Sequence, residues 1–306
     1  MSFVAKIFCG MCKKADQEKN KGLTTPSDIQ RFDNISYGKD EKWNVLDIYR
    51  PKKKKGNLPV IINVHGGGWV YGNKELYQFY CMYLAQQGFA VVNFTYRIAP
   101  KFRFPAALED LNEVVEFIRV HAKQYGVDCH EVYMAGDSAG ANLACLYTLL
   151  LTNDEYASKF ELFLPVDFKI RALLLNCGIY DIYAYRKEKG NMVYMTEHLL
   201  HDLFGTRKLV EEQLDKINPV KYITDKFPPC YIMTATGDFL KNQPKYLIDK
   251  LKENEISYEY KIYGTEENPL GHVFHCDFRL EEAKMCNDQE IDFLKKISRE
   301  RKQDVE

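Results

Sequence analysis

From residue 34 onward the chain alternates short apolar runs with helical patterns, and this rhythm restricts its fold more than any other feature. The runs are Val60–Val64, Ala90–Phe94, Val132–Ala135, Ala172–Leu175, Cys230–Met233 and Tyr258–Tyr263. Most are short and nearly all apolar, as suits strands buried on both faces of a parallel sheet. Between them, Ala107, Leu111, Val114, Val115 and Ile118 recur at three- and four-residue spacing, one face of a helix. The stretch after Ala139 and the one carrying Ile291, Leu294 and Ile297 read the same way. The expectation is an α/β fold with a mostly parallel sheet, helices on both faces and connecting loops at the strand ends.

Two segments depart from the rhythm. Asn34–Tyr37 and Trp43–Tyr49 are expected to be antiparallel edge strands joined by the turn around Gly38-Lys39-Asp40. From about 179 to 226 there is no strand-like run, only helical patches at Thr196–Leu203 and Arg207–Ile217, then Asn218-Pro219. An insertion of that length between two strands is expected to form a lid or cap. The chain is therefore read as one domain, residues 1–306, interrupted by a cap.

Composition narrows the class of partner. With 46% hydrophobic and 28% charged residues the chain is globular, not disordered. Its 42 Lys+Arg and 43 Asp+Glu leave a net charge of -1, without the basic footprint of a nucleic-acid binder. The run Lys52–Lys55 is expected to be a solvated loop. Nine scattered cysteines, several inside apolar runs, are expected to be reduced and structural. Cys9 and Cys12 form the sole C-x-x-C; with no second pair to complete a zinc site, it is read as a chance pair near a frayed N-terminus. Met1–Lys14 lacks a secretory pattern, and the longest apolar run, Leu143–Leu151, is far short of the ~20 residues that cross a bilayer. A soluble, cytoplasmic protein with no membrane or nucleic-acid partner is expected.

The chemistry is carried by glycine-rich loops after strands. Gly136-Asp137-Ser138-Ala139-Gly140 follows the run Val132–Ala135 and opens a helical pattern, the strand-to-helix setting of a nucleophile elbow. Its flanking glycines relieve a sharp turn, and the new helix directs partial positive charge at the serine. His65-Gly66-Gly67-Gly68 ends the run Val60–Val64, and its bare backbone N–H groups suit a developing oxyanion. A serine hydroxyl needs a base, and the base needs an orienting carboxylate, in the chain order Ser, acid, His on such a fold. Asp238 leaves the strand Cys230–Met233, and His272 follows Tyr258–Tyr263 and the loop Gly264–Gly271. His275 competes with His272 but is expected to start the next helix. Asp225 precedes its strand, and Glu266 and Glu267 lie in the histidine's own loop. His121, His130, His198 and His201 are placed on helical or turn segments, with no convincing metal-ligand spacing.

Taken together, the chain resembles the hormone-sensitive-lipase-like branch of the α/β-hydrolases, which includes bacterial acetyl and short-chain carboxylesterases. The matching residues are His65-Gly66-Gly67-Gly68, Tyr96–Pro100 with Phe104–Asp110, Gly136–Gly140, Asp238 and His272-Val273-Phe274, covering about residues 34 to 298. Asn242 departs from the pattern, standing where members often carry an acid. The resemblance implies an eight-stranded α/β-hydrolase fold with a cap built from about 1–33 and 179–226. It implies Ser138 as nucleophile, His272 as base and acid, Asp238 as orienter, and an oxyanion hole from the N–H groups of Gly67, Gly68 and Ala139. No metal or organic cofactor is called for, and the expected partner is a small-molecule ester.

Substrate detail is less constrained. The family analogy points to acetate to butyrate, with acetylated sugars among the candidates. Tyr180, Tyr183, Tyr185, Tyr194 and Phe204 in the insertion either wall a pocket or form the cap's own core. An arylformamidase or other amide hydrolase would use the same residues. Plant hormone receptors of this family bind ligand without catalysis and have lost the histidine. Exposed strand edges leave a homodimer open.

Overall fold

The computed structural model of the chain describes residues 1–303. Eight strands form one sheet in the order β1-β2-β4-β3-β5-β6-β7-β8. They are β1 (Ile29–Ser36), β2 (Val45–Pro51), β3 (Leu58–Val64), β4 (Ala90–Thr95), β5 (Val127–Asp137), β6 (Ile170–Asn176), β7 (Cys230–Ala235) and β8 (Tyr258–Tyr263). β2 runs antiparallel to both β1 and β4, and every later pairing is parallel. The helices are α1 (Phe3–Asn20), α2 (Lys74–Gln86), α3 (Ala106–Tyr125), α4 (Ala139–Thr152), α5 (Asp154–Ala157), α6 (Ile182–Lys187), α7 (Asn191–Phe204), α8 (Glu211–Asp215), α9 (Gln243–Glu253) and α10 (Glu281–Gln303).

The strand alternation explains why both faces are covered. Val60, Ile62 and Val64 enter one core with Leu111 and Val114 of α3 and Leu146 of α4. Ile61, between them in sequence, enters the opposite core with Leu84 of α2 and Leu294 of α10. Each such side chain contributes about 1.5–3 kcal/mol when fully removed from water. Apolar helices are thus drawn to both faces, leaving the C-terminal ends of the parallel strands for polar loops.

Four expectations need correction. The sheet begins at Ile29, so the segment 29–33 belongs to β1 and not to an arm. Only β1 is an edge strand on that side; β2 lies inside the sheet because its Val45–Tyr49 segment pairs with β4. His130 sits in β5, exposed, and not on a helix or turn. The N-terminus is a regular helix: the Ser2 hydroxyl caps α1 by accepting from Ala5 N–H at 3.1 Å, and Ser2 N–H donates to Asp202 of α7 at 2.8 Å.

Candidate active site

Three loops at the C-terminal ends of β5, β7 and β8 converge on one point. Ser138 stands between β5 and α4 at φ 53 and ψ -119, a conformation that costs on the order of 1–3 kcal/mol and persists only when its surroundings enforce it. Its surroundings do so: Ser138 N–H donates to Asn176 C=O at 2.8 Å, tying the turn to β6. Gly140 is needed because any Cβ there would collide with the carbonyl oxygen of Val64.

His272 Nε2 lies 2.9 Å from Ser138 Oγ, and its Nδ1 lies 2.8 Å from Asp238 Oδ1. An ionised carboxylate only accepts, so the proton belongs on Nδ1 and Nε2 faces the serine as an acceptor. Asp238 is buried, which alone would raise its pKa. The His272 imidazole and the Leu240 N–H, donating at 2.9 Å, outweigh that and hold the carboxyl below its ordinary value. Thr234 Oγ1 donates to the other carboxylate oxygen at 3.1 Å. Cys177, Asp238 and His272 also place a thiol, a carboxylate oxygen and a ring nitrogen within 4.8 Å of one another. Both His272 nitrogens are already engaged in the chain from Asp238 to Ser138, so a metal there would have to break it.

The glycine loop is bound to the elbow. Asp137 accepts from Gly66 N–H at 3.0 Å and from the Tyr77 hydroxyl at 2.9 Å, and burial pushes its pKa up to about 6. Gly67 adopts φ 116, where a side chain would strike the Tyr71 carbonyl. Among the described residues, no protein acceptor takes the N–H of Gly67, Gly68 or Ala139. Ala139 is the first residue of α4, where an N–H has no partner within the helix. His65 is buried and stacked on Tyr96 with ring centroids 3.9 Å apart; burial lowers its pKa to about 4 and keeps it neutral behind the loop.

The alternatives read from sequence lie elsewhere. His275 sits in a 3₁₀ turn, Phe274–Cys276, and not at the start of α10; it is buried edge-on against Tyr80, its pKa lowered to about 3 by burial. Among the described residues it bonds neither Ser138 nor Asp238. Asn242 is exposed, just before α9. Of the insertion aromatics, Tyr180 and Tyr185 are core, Tyr183 binds Asp215 at 2.9 Å, Phe204 packs on Phe104, and Tyr194 is exposed.

Two spaces flank Ser138. One is a pocket of about 30 Å³ bounded by Gly68, Trp69, Ile179, Thr196, Leu199 and Leu240. The other is a cleft of about 510 Å³ reaching past His272 to Met11, Cys12, Lys19 and Leu280. Phe8, Met192 and Phe239 line both and divide them. Sequence reasoning missed Phe8, Leu199 and Phe239. Phe8 and Cys12, four apart on a helix capped by Ser2, were the available signal for a helical face turned inward.

The BD-FAE family model matches residues 46–251. The chain belongs to the BD-FAE family. This BD-FAE member is 27% identical over 236 residues to the probable carboxylic ester hydrolase LipM of Mycobacterium tuberculosis, covering 75% of this chain and 53% of that protein. It is 28% identical over 228 residues to an acetyl esterase of Salmonella schwarzengrund, covering 71% of this chain and 67% of that one. The match thus spans only about half the length of the mycobacterial relative. The fold matches that of esterase B from Lactobacillus rhamnosis with a TM-score of 0.90 at 24% identity, over 98% of this chain and 96% of the other. The resemblance to the α/β-hydrolases read from the motifs is borne out for family and fold. No described helix is long and apolar enough to cross a membrane.

Proposed function

We propose that this BD-FAE member is a serine carboxylesterase that hydrolyses short-chain acyl esters through an acyl-enzyme. The observation that carries the reading is the continuous chain Ser138–His272–Asp238, with contacts of 2.9 and 2.8 Å, beside a pocket of about 30 Å³. Ser138 Oγ attacks the ester carbonyl as His272 Nε2 takes its proton, and Asp238 stabilises the resulting imidazolium. The N–H groups of Gly67, Gly68 and Ala139 receive the oxyanion, and their hold strengthens as charge moves onto oxygen. His272 then protonates the departing alcohol, and water repeats the attack with His272 as base.

The small pocket receives the acyl group, and the larger cleft the alcohol. A space of about 30 Å³ suits the short alkyl group of an acetyl to butyryl ester, whereas a heptyl chain would have to displace Leu199. In this reading α1 and the insertion 179–226 form a cap that closes over Ser138, with Phe8 of α1 and Leu199 of α7 bounding the acyl side. The named relatives carry ester-hydrolase names, and the bonded His272 sets the chain apart from the receptor alternative.

The test is a series of p-nitrophenyl esters from acetyl to octanoyl, run beside N-formylkynurenine, with wild type and Ser138→Ala. Acetyl and butyryl esters are expected to turn over fastest, and Ser138→Ala to lose about four to six orders of magnitude in kcat. Faster turnover of octanoyl esters refutes the short-acyl assignment, and a preference for the formamide refutes the esterase one.

A further inference from the structure

Helix α10 buries two polar side chains three residues apart, Asn287 and Glu290, neither of which lines the acyl pocket or the cleft. Both are 0% exposed. Residues at that spacing share one helical face. Burying a carboxyl and a carboxamide is unfavourable by a few kcal/mol each unless hydrogen bonds replace the lost water. Asn287 bonds the histidine loop directly, and Glu290 bonds Tyr80 of α2, from which a path leads to the serine turn.

From Glu290 the path leads to the serine. The Tyr80 hydroxyl of α2 donates to Glu290 Oε2 at 2.7 Å, and Asn176 Nδ2 donates to the Tyr80 oxygen at 3.4 Å. The carbonyl of the same Asn176 receives Ser138 N–H at 2.8 Å. From Asn287 the path leads to the histidine loop: its Nδ2 donates to the His275 carbonyl at 3.0 Å, three residues past His272. The His275 ring closes the circuit edge-on against Tyr80, with centroids 5.0 Å apart. All of these side chains are at most 2% exposed.

We infer that Glu290 and Asn287 are positioning residues, which hold the serine and histidine loops in register through Tyr80, Asn176 and His275. The inference rests on the proposal that Ser138 and His272 react together. Neither α10 residue touches the reacting atoms. Their effect is to fix the separation of Ser138 Oγ and His272 Nε2, where displacement by 1 Å can lower the rate by about 10²-fold. None of Tyr80, Asn176, His275, Asn287 and Glu290 lines the acyl pocket or the cleft, so the loss is expected to fall on kcat.

The experiment compares Tyr80→Phe, Glu290→Leu, the double variant and Glu290→Gln, reading kcat and KM on p-nitrophenyl acetate together with Tm. Tyr80→Phe removes one hydroxyl and keeps the ring, so it carries the test even if Glu290→Leu fails to fold. It is expected to lower kcat by about 5–30-fold with KM within about 2-fold. Glu290→Gln keeps an acceptor for Tyr80 and is expected to retain kcat within about 3-fold, while Glu290→Leu falls with Tyr80→Phe and the double variant is no worse than either. Wild-type kcat in Tyr80→Phe, or losses that multiply in the double variant, overturn the inference. A wild type whose hydrolysis survives Ser138→Ala refutes the esterase reading instead.

Discussion

The floor and the roof of the site are built by different physics. On the floor, Ser138, Asp137, Asp238 and His272 come from the strand ends and the loops that follow them, and each is pinned by hydrogen bonds of 2.8 to 3.1 Å. On the roof, Phe8 from α1 and Met192 and Leu199 from α7 meet the site through apolar surface. Hydrogen bonds are directional and set atoms to within tenths of an ångström, whereas apolar contacts set volume. Floor changes should therefore alter rate, and roof changes should alter which ester is accepted.

The largest expected effect is on the floor. Asp238→Asn keeps the shape but offers His272 the wrong hydrogen-bonding partner, and is expected to lower kcat by about 10⁴-fold while KM for acetyl esters stays near wild type. A loss expressed mainly in KM would break the division between floor and roof.

Asp137 gives the next effect, in stability. Its ordinary pKa of 3.8 rises to about 6 in the fold because burial disfavours the carboxylate. The folded state therefore binds the proton more tightly than the unfolded one. Stability contributed by the protonated form is fully present below pH ~4 and lost as pH rises towards ~6, about 3 kcal/mol by linkage. Asp137→Asn does not titrate, so its stability relative to wild type is expected to rise by that amount between pH 4 and 7 in urea unfolding. Parallel curves for the two proteins would show that Asp137 is not held in this way.

Roof effects should be smaller and selective. Leu199→Ala opens the acyl pocket beside Gly68 and is expected to raise the ratio of hexanoyl to acetyl kcat/KM by about 10-fold or more. An equal change for all chain lengths would place the acyl group elsewhere. Met11 is half exposed at the far wall of the cleft, and Met11→Ala should change kcat/KM by less than about 3-fold for any leaving group.

The same contrast decides which parts of the molecule are legible in its amino-acid sequence. Floor residues sit in loops where backbone geometry forces particular residue types. Gly140 must lack a Cβ beside Val64, and Asp238 and His272 must follow their strands. Such constraints leave local signatures, and, although β5 extends to Val127–Asp137 where the apolar run covers only Val132–Ala135, the parallel strands are legible as apolar runs. The position of β2 is not, because an interior antiparallel strand and an edge strand share one local pattern; only its pairing with β4 separates them. The roof is hardest. Only Ala5 of α1 is fully buried; Phe8 and Cys9 pack against the core only in part, and the helix also lines the cleft, so which face turns inward is not evident from the sequence. The insertion aromatics stand out by type, but Tyr180 and Tyr185 pack inward, and the pocket is bounded instead by an unremarkable leucine and by Phe8.

In the proposed reaction Ser138 carries the acyl group between the two half-reactions. Intact-protein mass spectrometry after rapid acid quench with p-nitrophenyl acetate tests it directly. One acetyl adduct is expected, placed on Ser138 by peptide mapping, formed with the burst of nitrophenol and absent from Ser138→Ala. Full-rate nitrophenol release with no adduct, or the same adduct on Ser138→Ala, would contradict it.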